Sequence, residues 1–221
     1  MKVLAIDVGG SHVKALATGR RTPVKLDSGP DFTPGEMARV ILAATLGWRY
    51  DAVTIGYPGP ASGGRAVREP FNLGGGWRRY DYERAFGCPV RLVNDAAMQA
   101  LGSYEGKRML FLGLGTGLGS ALVSEDVVVP LELAHLPYRE GRTYEEYVGQ
   151  AGLDRLGKDK WRTHVARVVE LLSTAVVADY TVLGGGNVRM IPRLPPRTRR
   201  GSNANAFRGG YRVWEHAWSW A

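Results

Sequence analysis

The sequence predicts an α/β protein built as two related lobes around a cleft. A strand, a glycine-rich turn and a second strand stand at the head of each half of the chain, and helical segments follow each pair. With 221 residues, each lobe has enough chain to bury a core of its own.

The first half opens with a strand over residues 3–6. Gly9-Gly10 turns the chain and residues 12–17 return as the second strand of a hairpin. A helix is expected over 34–46, with Pro34 in its first turn and Met37, Val40, Ile41 and Ala44 on one face. A strand over 52–56 leads into residues 57–77, whose Gly, Pro and Asn mark loops of the kind that carry sites. A short strand over 89–93 then meets Asn94-Asp95, which open a helix ending near 102–106.

The second half restarts the pattern. Strands are expected over 109–112, 120–124, 127–129 and 180–183, with a helix over 161–178 carrying Trp161, Val165, Val168, Leu172 and Val176 at helical spacing. One lobe therefore spans 1–106, completed by a C-terminal segment of about 204–221, and the other spans 107–203. Tyr211, Trp214, Trp218 and Trp220 are spaced as an aromatic stripe on a helix, packing as core or as a homodimer contact.

Composition excludes several classes. At 44% hydrophobic, 23% charged and 10% aromatic, the chain is globular rather than disordered or fibrous. A single cysteine, Cys88, rules out an internal disulfide and a multi-cysteine zinc site, and a reducing cytoplasm is the expected compartment. The apolar run after Met1 is too short for a membrane span and lacks the basic region of a signal peptide. The net charge of +8 attracts anions: nucleotides, polyphosphate or nucleic acid.

Three glycine-rich segments are the candidate anion cradles. Asp7-Val8-Gly9-Gly10-Ser11 and the run 112–119, containing Gly115-Thr116-Gly117, each join two strands, with a hydroxyl on Ser11 or Thr116 beside backbone N–H groups. Neither is a Walker A loop, because no Gly-Lys-Ser/Thr follows. One such turn is commonly just a hairpin or bulge; two with flanking hydroxyls point to phosphate. Lys14 stands on the returning strand, where it adds positive charge or simply faces solvent. The third segment, Gly184-Gly185-Gly186-Asn187, suits close passage of a base or ribose.

Asp95 has two readings. As part of an Asn-Asp cap its carboxylate would contribute about 1 kcal/mol to helix stability. As a base at a positive helix end it would stay ionised at neutral pH and orient a substrate hydroxyl. Asn72 in a glycine-rich loop, and Glu132 three residues before His135, supply the paired donors and acceptors that hydroxyl-rich ligands require. The arginines at 189, 193, 197, 199, 200, 208 and 212 make the C-terminal region cationic, a surface along which polyphosphate would lie. No recognised nucleic-acid motif accompanies them, so nucleic acid is not the expected partner.

Together these residues resemble the ROK family of sugar kinases, with its two-lobed actin-like ATPase (ribonuclease H-like) fold and active-site cleft, and in particular its polyphosphate glucokinase branch. Residues 5–11 look like the family's first phosphate motif, 113–120 like its second and 183–187 like its adenosine-side motif. The resemblance implies that Asp95 is the catalytic base, that Asn72, Asn94, Glu132 and His135 contact the sugar, and that the stretch 56–59, ending in Gly59, shapes its pocket. It implies ATP and/or polyphosphate as donor, glucose as acceptor, and magnesium, held through water by Asp7. Ala134 stands where the branch has glycine. No cysteine follows His135, so zinc is not expected. The alternatives are a catalytically inactive sugar or nucleotide sensor and a basic nucleic-acid binder.

Overall fold

Buried parallel strands organise two sheets, and the computed structural model describes residues 1–215 and 218–220. Residues 216, 217 and 221 of the expected C-terminal segment lie outside the described residues. In the first sheet β1 (Val3–Val8) and β2 (His12–Ala17) form the antiparallel hairpin, with Asp7 opposite Lys14. β3 (Val24–Asp27) extends it on the β2 side. α1 (Pro34–Ala44) follows, capped by Thr33, whose hydroxyl accepts the Glu36 N–H.

β4 (Ala52–Tyr57) lies parallel to β1 and is buried at every residue, as a central strand covered on both faces must be. A small hairpin, β5 (Ala61–Ser62) and β6 (Arg65–Ala66), and the helix α2 (Tyr82–Phe86) precede β7 (Val90–Asn94). The sheet order is β3-β2-β1-β4-β7. Leu4, Ile6 and Val8 of β1 pack with Met37 and Ile41 of α1 and with Trp77 in one core cluster.

α3 (Asp95–Ser103) carries the chain to the second sheet, formed by β8 (Met109–Leu114), β9 (Leu118–Ser124) and β10 (Val127–Leu131). A hairpin of β11 (Pro137–Arg139) and β12 (Arg142–Thr143) leads to α4 (Tyr144–Val148), started by a capping box between Thr143 and Glu146. α5 (Gln150–Ala175) presents Trp161, Val165, Val168 and Leu172 to the sheet, in a core shared with Leu110 and Leu112. β13 (Tyr180–Gly184), β14 (Thr198–Arg200), α6 (Ala204–Arg212) and β15 (Ser219–Trp220) complete the chain. The order here is β14-β13-β8-β9-β10-β15.

α6 returns to the first sheet through backbone contact. Gly102 of α3 lies against the Asn205 backbone and Gly209 of α6 against that of Met98, so a Cβ at either position would collide with main chain. Thr54 Oγ1 donates to Gly210 O at 2.7 Å, and Arg212 donates to the Leu101 and Tyr104 carbonyls at 2.7 and 2.8 Å. Both carbonyls lie at the carboxyl end of α3, where a cation is favourable.

Two expectations change. The helix expected over 161–178 is the second of two helical segments within α5: Gly157, at φ 73° and ψ 164°, breaks the helical geometry, the chain before it is already helical from Gln150, and the second segment ends at Ala175. The terminal aromatics do not form a helical stripe: α6 stops at Arg212, and Ser219 and Trp220 pair in parallel with Val127 and Val128. The open edge of β10 offers backbone partners that side-chain spacing does not reveal.

α5 ends in a Schellman motif, with Ala178 N–H donating to Ser173 O at 2.9 Å and Val177 N–H to Thr174 O at 3.1 Å. This puts the β-branched, exposed Val177 in the left-handed region at φ 53°. Val177→Gly is expected to raise stability by about 1 kcal/mol, read as a higher Tm in thermal melts.

Candidate active site

β1, β4 and β7 run parallel and in register, Asp7 beside Gly56 and Gly56 beside Val93. Their carboxyl ends therefore carry Asp7 with the Gly9-Gly10 turn, the stretch 56–59, and Asn94-Asp95. In the second sheet β8 and β13 are parallel with Gly113 beside Gly184, so the other two glycine-rich segments also leave their strands at one end. Carboxyl ends of parallel strands are where open α/β sheets bind ligands.

Asn94 rather than Asp95 caps α3. Its Oδ1 accepts the Ala97 N–H at 2.9 Å, and its Nδ2 donates to Gly59 O at 3.2 Å, tying the 56–59 stretch to the helix. The Asp95 carboxylate accepts the adjacent Ala96 N–H at 2.7 Å and is also favoured by its own backbone N–H. It is enclosed by protein and keeps only part of its surface open. Burial pushes its pKa up to about 7; the Asp7 charge adds to the rise, the Ala96 N–H opposes it, and Glu132 contributes a further increment. The helix end does not keep it fully ionised at neutral pH, because desolvation outweighs the dipole. Asp95 thus lies within electrostatic range of Asp7, at the first turn, and of Glu132, in the loop after β10.

At the first turn, Lys14 Nζ is 3.8 Å from Asp7 Oδ2. Burial raises the Asp7 pKa and the Lys14 charge partly offsets it. The turn is braced: Gly9 N–H donates to His12 O at 3.0 Å and Ser28 Oγ to Gly9 O at 2.6 Å. Ser11 is exposed. Asn72 passes beside the turn, its Cβ 3.7 Å from where a side chain on Gly10 would begin. Glu69 holds that loop by accepting the Trp77 and Arg78 N–H groups at 2.9 and 3.3 Å.

The second turn is supported by Glu145 and Gln150, which the sequence reading did not single out, and by Asn187 of the third glycine-rich segment. The Glu145 carboxylate lies against Gly117 and accepts the Leu118 N–H at 3.2 Å. Gln150 N–H donates to Thr116 O at 3.1 Å, and Asn187 Nδ2 donates to Gly115 O at 3.2 Å and to Gln150 Oε1 at 3.0 Å. Asn187 thus joins the second turn to the third segment, where Gly185, at φ 83°, packs on the Leu114 backbone and Gly186 follows it. The signal for Glu145 was the Thr-x-x-Glu capping box at 143–146, which marks a helix start and places Glu145 in its first turn.

Glu132 and His135 sit 3.8 Å apart, each more than half exposed. Ser120 fixes their loop, donating to Leu131 O at 2.8 Å and accepting the Leu133 N–H at 3.3 Å; Ala134 between them is buried. The C-terminal arginines do not form one free surface. Arg199 pairs with Glu105, Arg200 donates to the Val188 and Ile191 carbonyls, and Arg212 is bound to α3. Among the described residues no group of three or more His, Cys, Asp or Glu could hold a metal ion. No helix among them is long and apolar enough to cross a membrane.

No protein-family model matches the chain, and no curated protein sequence does. Solved structures do match. The inorganic polyphosphate/ATP-glucomannokinase from Arthrobacter sp. strain KM superposes with a TM-score of 0.81 and 22% identity, over 97% of this chain and 99% of that one. This chain has the ROK sugar-kinase fold. A ROK hexokinase from Thermus thermophilus gives a TM-score of 0.71 at 23% identity, covering 96% of this chain and 98% of that one. A ROK family glucokinase from Streptomyces griseus, in complex with glucose and AMPPNP, gives 0.75 at 17%, covering 96% and 99%. The fold is thus shared at sequence identities of 17% to 23%.

The raised Asp95 pKa has a stability consequence. The folded state holds this proton up to about pH 7, whereas an unfolded aspartate releases it near pH 4, so the contribution to stability falls as pH climbs through that window. Asp95→Asn carries no such dependence. Its Tm should exceed that of the unsubstituted protein at pH 8 by more than at pH 5; equal differences at both pH values would mean that Asp95 is not desolvated.

Proposed function

We propose that the protein is a sugar kinase that transfers a phosphoryl group from ATP and/or polyphosphate to a hexose, giving glucose 6-phosphate from glucose. The observation that carries this reading is one partly buried carboxylate whose pKa is pushed up to about 7, Asp95, at the start of a helix whose next residue, Ala96, packs against Gly119 of the second glycine-rich run. A base poised near working pH both accepts a proton and remains partly ionised. The solved structures of this fold include glucokinases and a polyphosphate/ATP-glucomannokinase, which supports the reaction class. They also include a protein described as a putative N-acetylmannosamine kinase, so the acceptor rests on assay.

In this mechanism the sugar lies between Asn72, Gly59, Glu132 and His135, with its 6-hydroxyl directed at Asp95. The hydroxyl oxygen forms a bond to the terminal phosphorus as the donor's bridging P–O bond breaks, and Asp95 takes the hydroxyl proton late in the transfer. The Gly9-Gly10 and Gly115–Gly117 backbones cradle the phosphates, with Ser11 and Thr116 as hydroxyl donors and Lys14 as the positive charge. Gly184, Gly185 and Gly186 border a nucleotide base or ribose. Asn94 acts on the sugar side by holding the Gly59 stretch to α3. Asp7, buried and with one carboxylate, fits magnesium held mostly by water and phosphate. When bound, the ion neutralises donor charge.

Purified protein with glucose, Mg²⁺ and either ATP or polyphosphate should release glucose 6-phosphate in a coupled assay. Asp95→Ala is expected to lower kcat by roughly 10²–10⁴ with the fold retained by circular dichroism. Because the ionised carboxylate is the base, kcat/KM should rise with pH about a midpoint near 7. Undiminished turnover in the variant removes Asp95 from the chemistry; sugar binding without product from any donor makes the protein a sensor.

A further inference from the structure

A groove of about 1320 Å³ lies between the first lobe and the C-terminal segment, and none of the candidate site residues named above lines it. Arg65 of β6, Arg78 and Arg79 of the following loop and Arg91 of β7 contribute to its wall. Arg78 and Arg79 are exposed, and neither they nor Arg65 has an ion pair among the described residues. Three acids also line the groove: Asp81, which accepts the Arg84 N–H, Glu83, which accepts the Val90 N–H, and Glu215. The balance is four cations to three anions, and two of those anions already serve backbone donors.

The aromatic content is equally specific. Trp214, Trp218 and Trp220 come from the C-terminal segment, with the Arg91 guanidinium 4.2 Å from the Trp214 ring centroid. Trp77 is fully buried, yet its indole N–H has no hydrogen-bond partner among the described residues. Buried donors are almost always paired, and this one, with its nitrogen shut off from solvent, is a local polar cost rather than a contact open to the groove.

We propose that this groove is a second ligand site, for an aromatic phosphate of the nucleotide class. Unpaired arginines match phosphate oxygens with forked N–H pairs, and indoles match a planar base. The space exceeds what an inorganic anion fills and is about a third larger than the upper end of the usual range for organic-ligand sites. The groove is also connected to the cleft. Residues 90–93 of β7 line it, and the same strand delivers Asn94 and Asp95; Arg91 ties the strand to the C-terminal segment by donating to Val213 O at 2.7 Å. A ligand held there bears on the strand that positions the candidate base, as an effector would. The binding claim does not depend on the kinase reading.

Equilibrium dialysis of the full chain with ADP, in parallel with inorganic phosphate, tests it, using an Arg78→Glu/Arg79→Glu double variant whose folding is checked by thermal melts. The unsubstituted protein should bind ADP with quenching of its tryptophan fluorescence, and the variant should lose one equivalent of bound ADP per chain. If the variant melts early, Arg65→Glu at the other wall should remove the same equivalent. An unchanged ADP stoichiometry in folded variants, no ADP bound by the unsubstituted protein, or phosphate binding as tightly as ADP would each overturn the assignment. Loss of turnover with this equivalent intact would instead count against the kinase reading alone.

Discussion

Gly119 lies so close to the first turn of α3 that a side chain there would begin 2.9 Å from the Ala96 Cβ. The rest of the site depends on that approach. It sets the strand leaving the second glycine turn against the residue next to Asp95. Across the same helix, Gly102 and Gly209 let α6 lie on α3 at backbone distance, so α3 is held from two sides by residues without side chains. The helix that presents Asp95 is thus the element on which both sheets converge.

That placement has an energetic consequence. A lone carboxylate enclosed by protein, near the charges of Asp7 and Glu132, is in an unfavourable setting for its ionised form. The chain relieves Asp7 with Lys14, directly opposite it in the β1–β2 register, but serves Asp95 with local backbone N–H groups of the helix start. Asn94 takes over the capping that Asp95 would otherwise perform. The carboxylate is left underserved by hydrogen bonds, which is the condition under which it retains affinity for a proton. The raised proton affinity of Asp95 is thus obtained at a cost in stability at the same residue.

Local signals in the sequence were the readable ones. The Gly9-Gly10 hairpin, the strand leading to Asn94 and the second glycine turn are each encoded within about ten residues, and they appear where alternation and glycine placement put them. What escaped was non-local or interrupted. Gly157 concealed the first turns of α5, and the pairing of Trp220 with Val128 joins residues from distant parts of the chain. The Glu145 contact with Leu118 spans 27 positions, so its carboxylate read as an ordinary helix-start acid. The sign and size of the Asp95 shift were also beyond sequence reasoning, since the helix dipole is a local property whereas enclosure and the Asp7 and Glu132 charges belong to the assembled cleft.

The most direct test of the account is a ¹³C NMR titration of the Asp95 side-chain carboxyl in the unsubstituted protein and in Asp7→Asn and Glu132→Gln. A cleft in which both lobes face this residue predicts a midpoint near 7 that falls in each variant, more for Asp7→Asn than for Glu132→Gln. A midpoint near 4, unmoved by either substitution, would show Asp95 to be a solvated cap remote from both lobes' charges and would contradict a shared site.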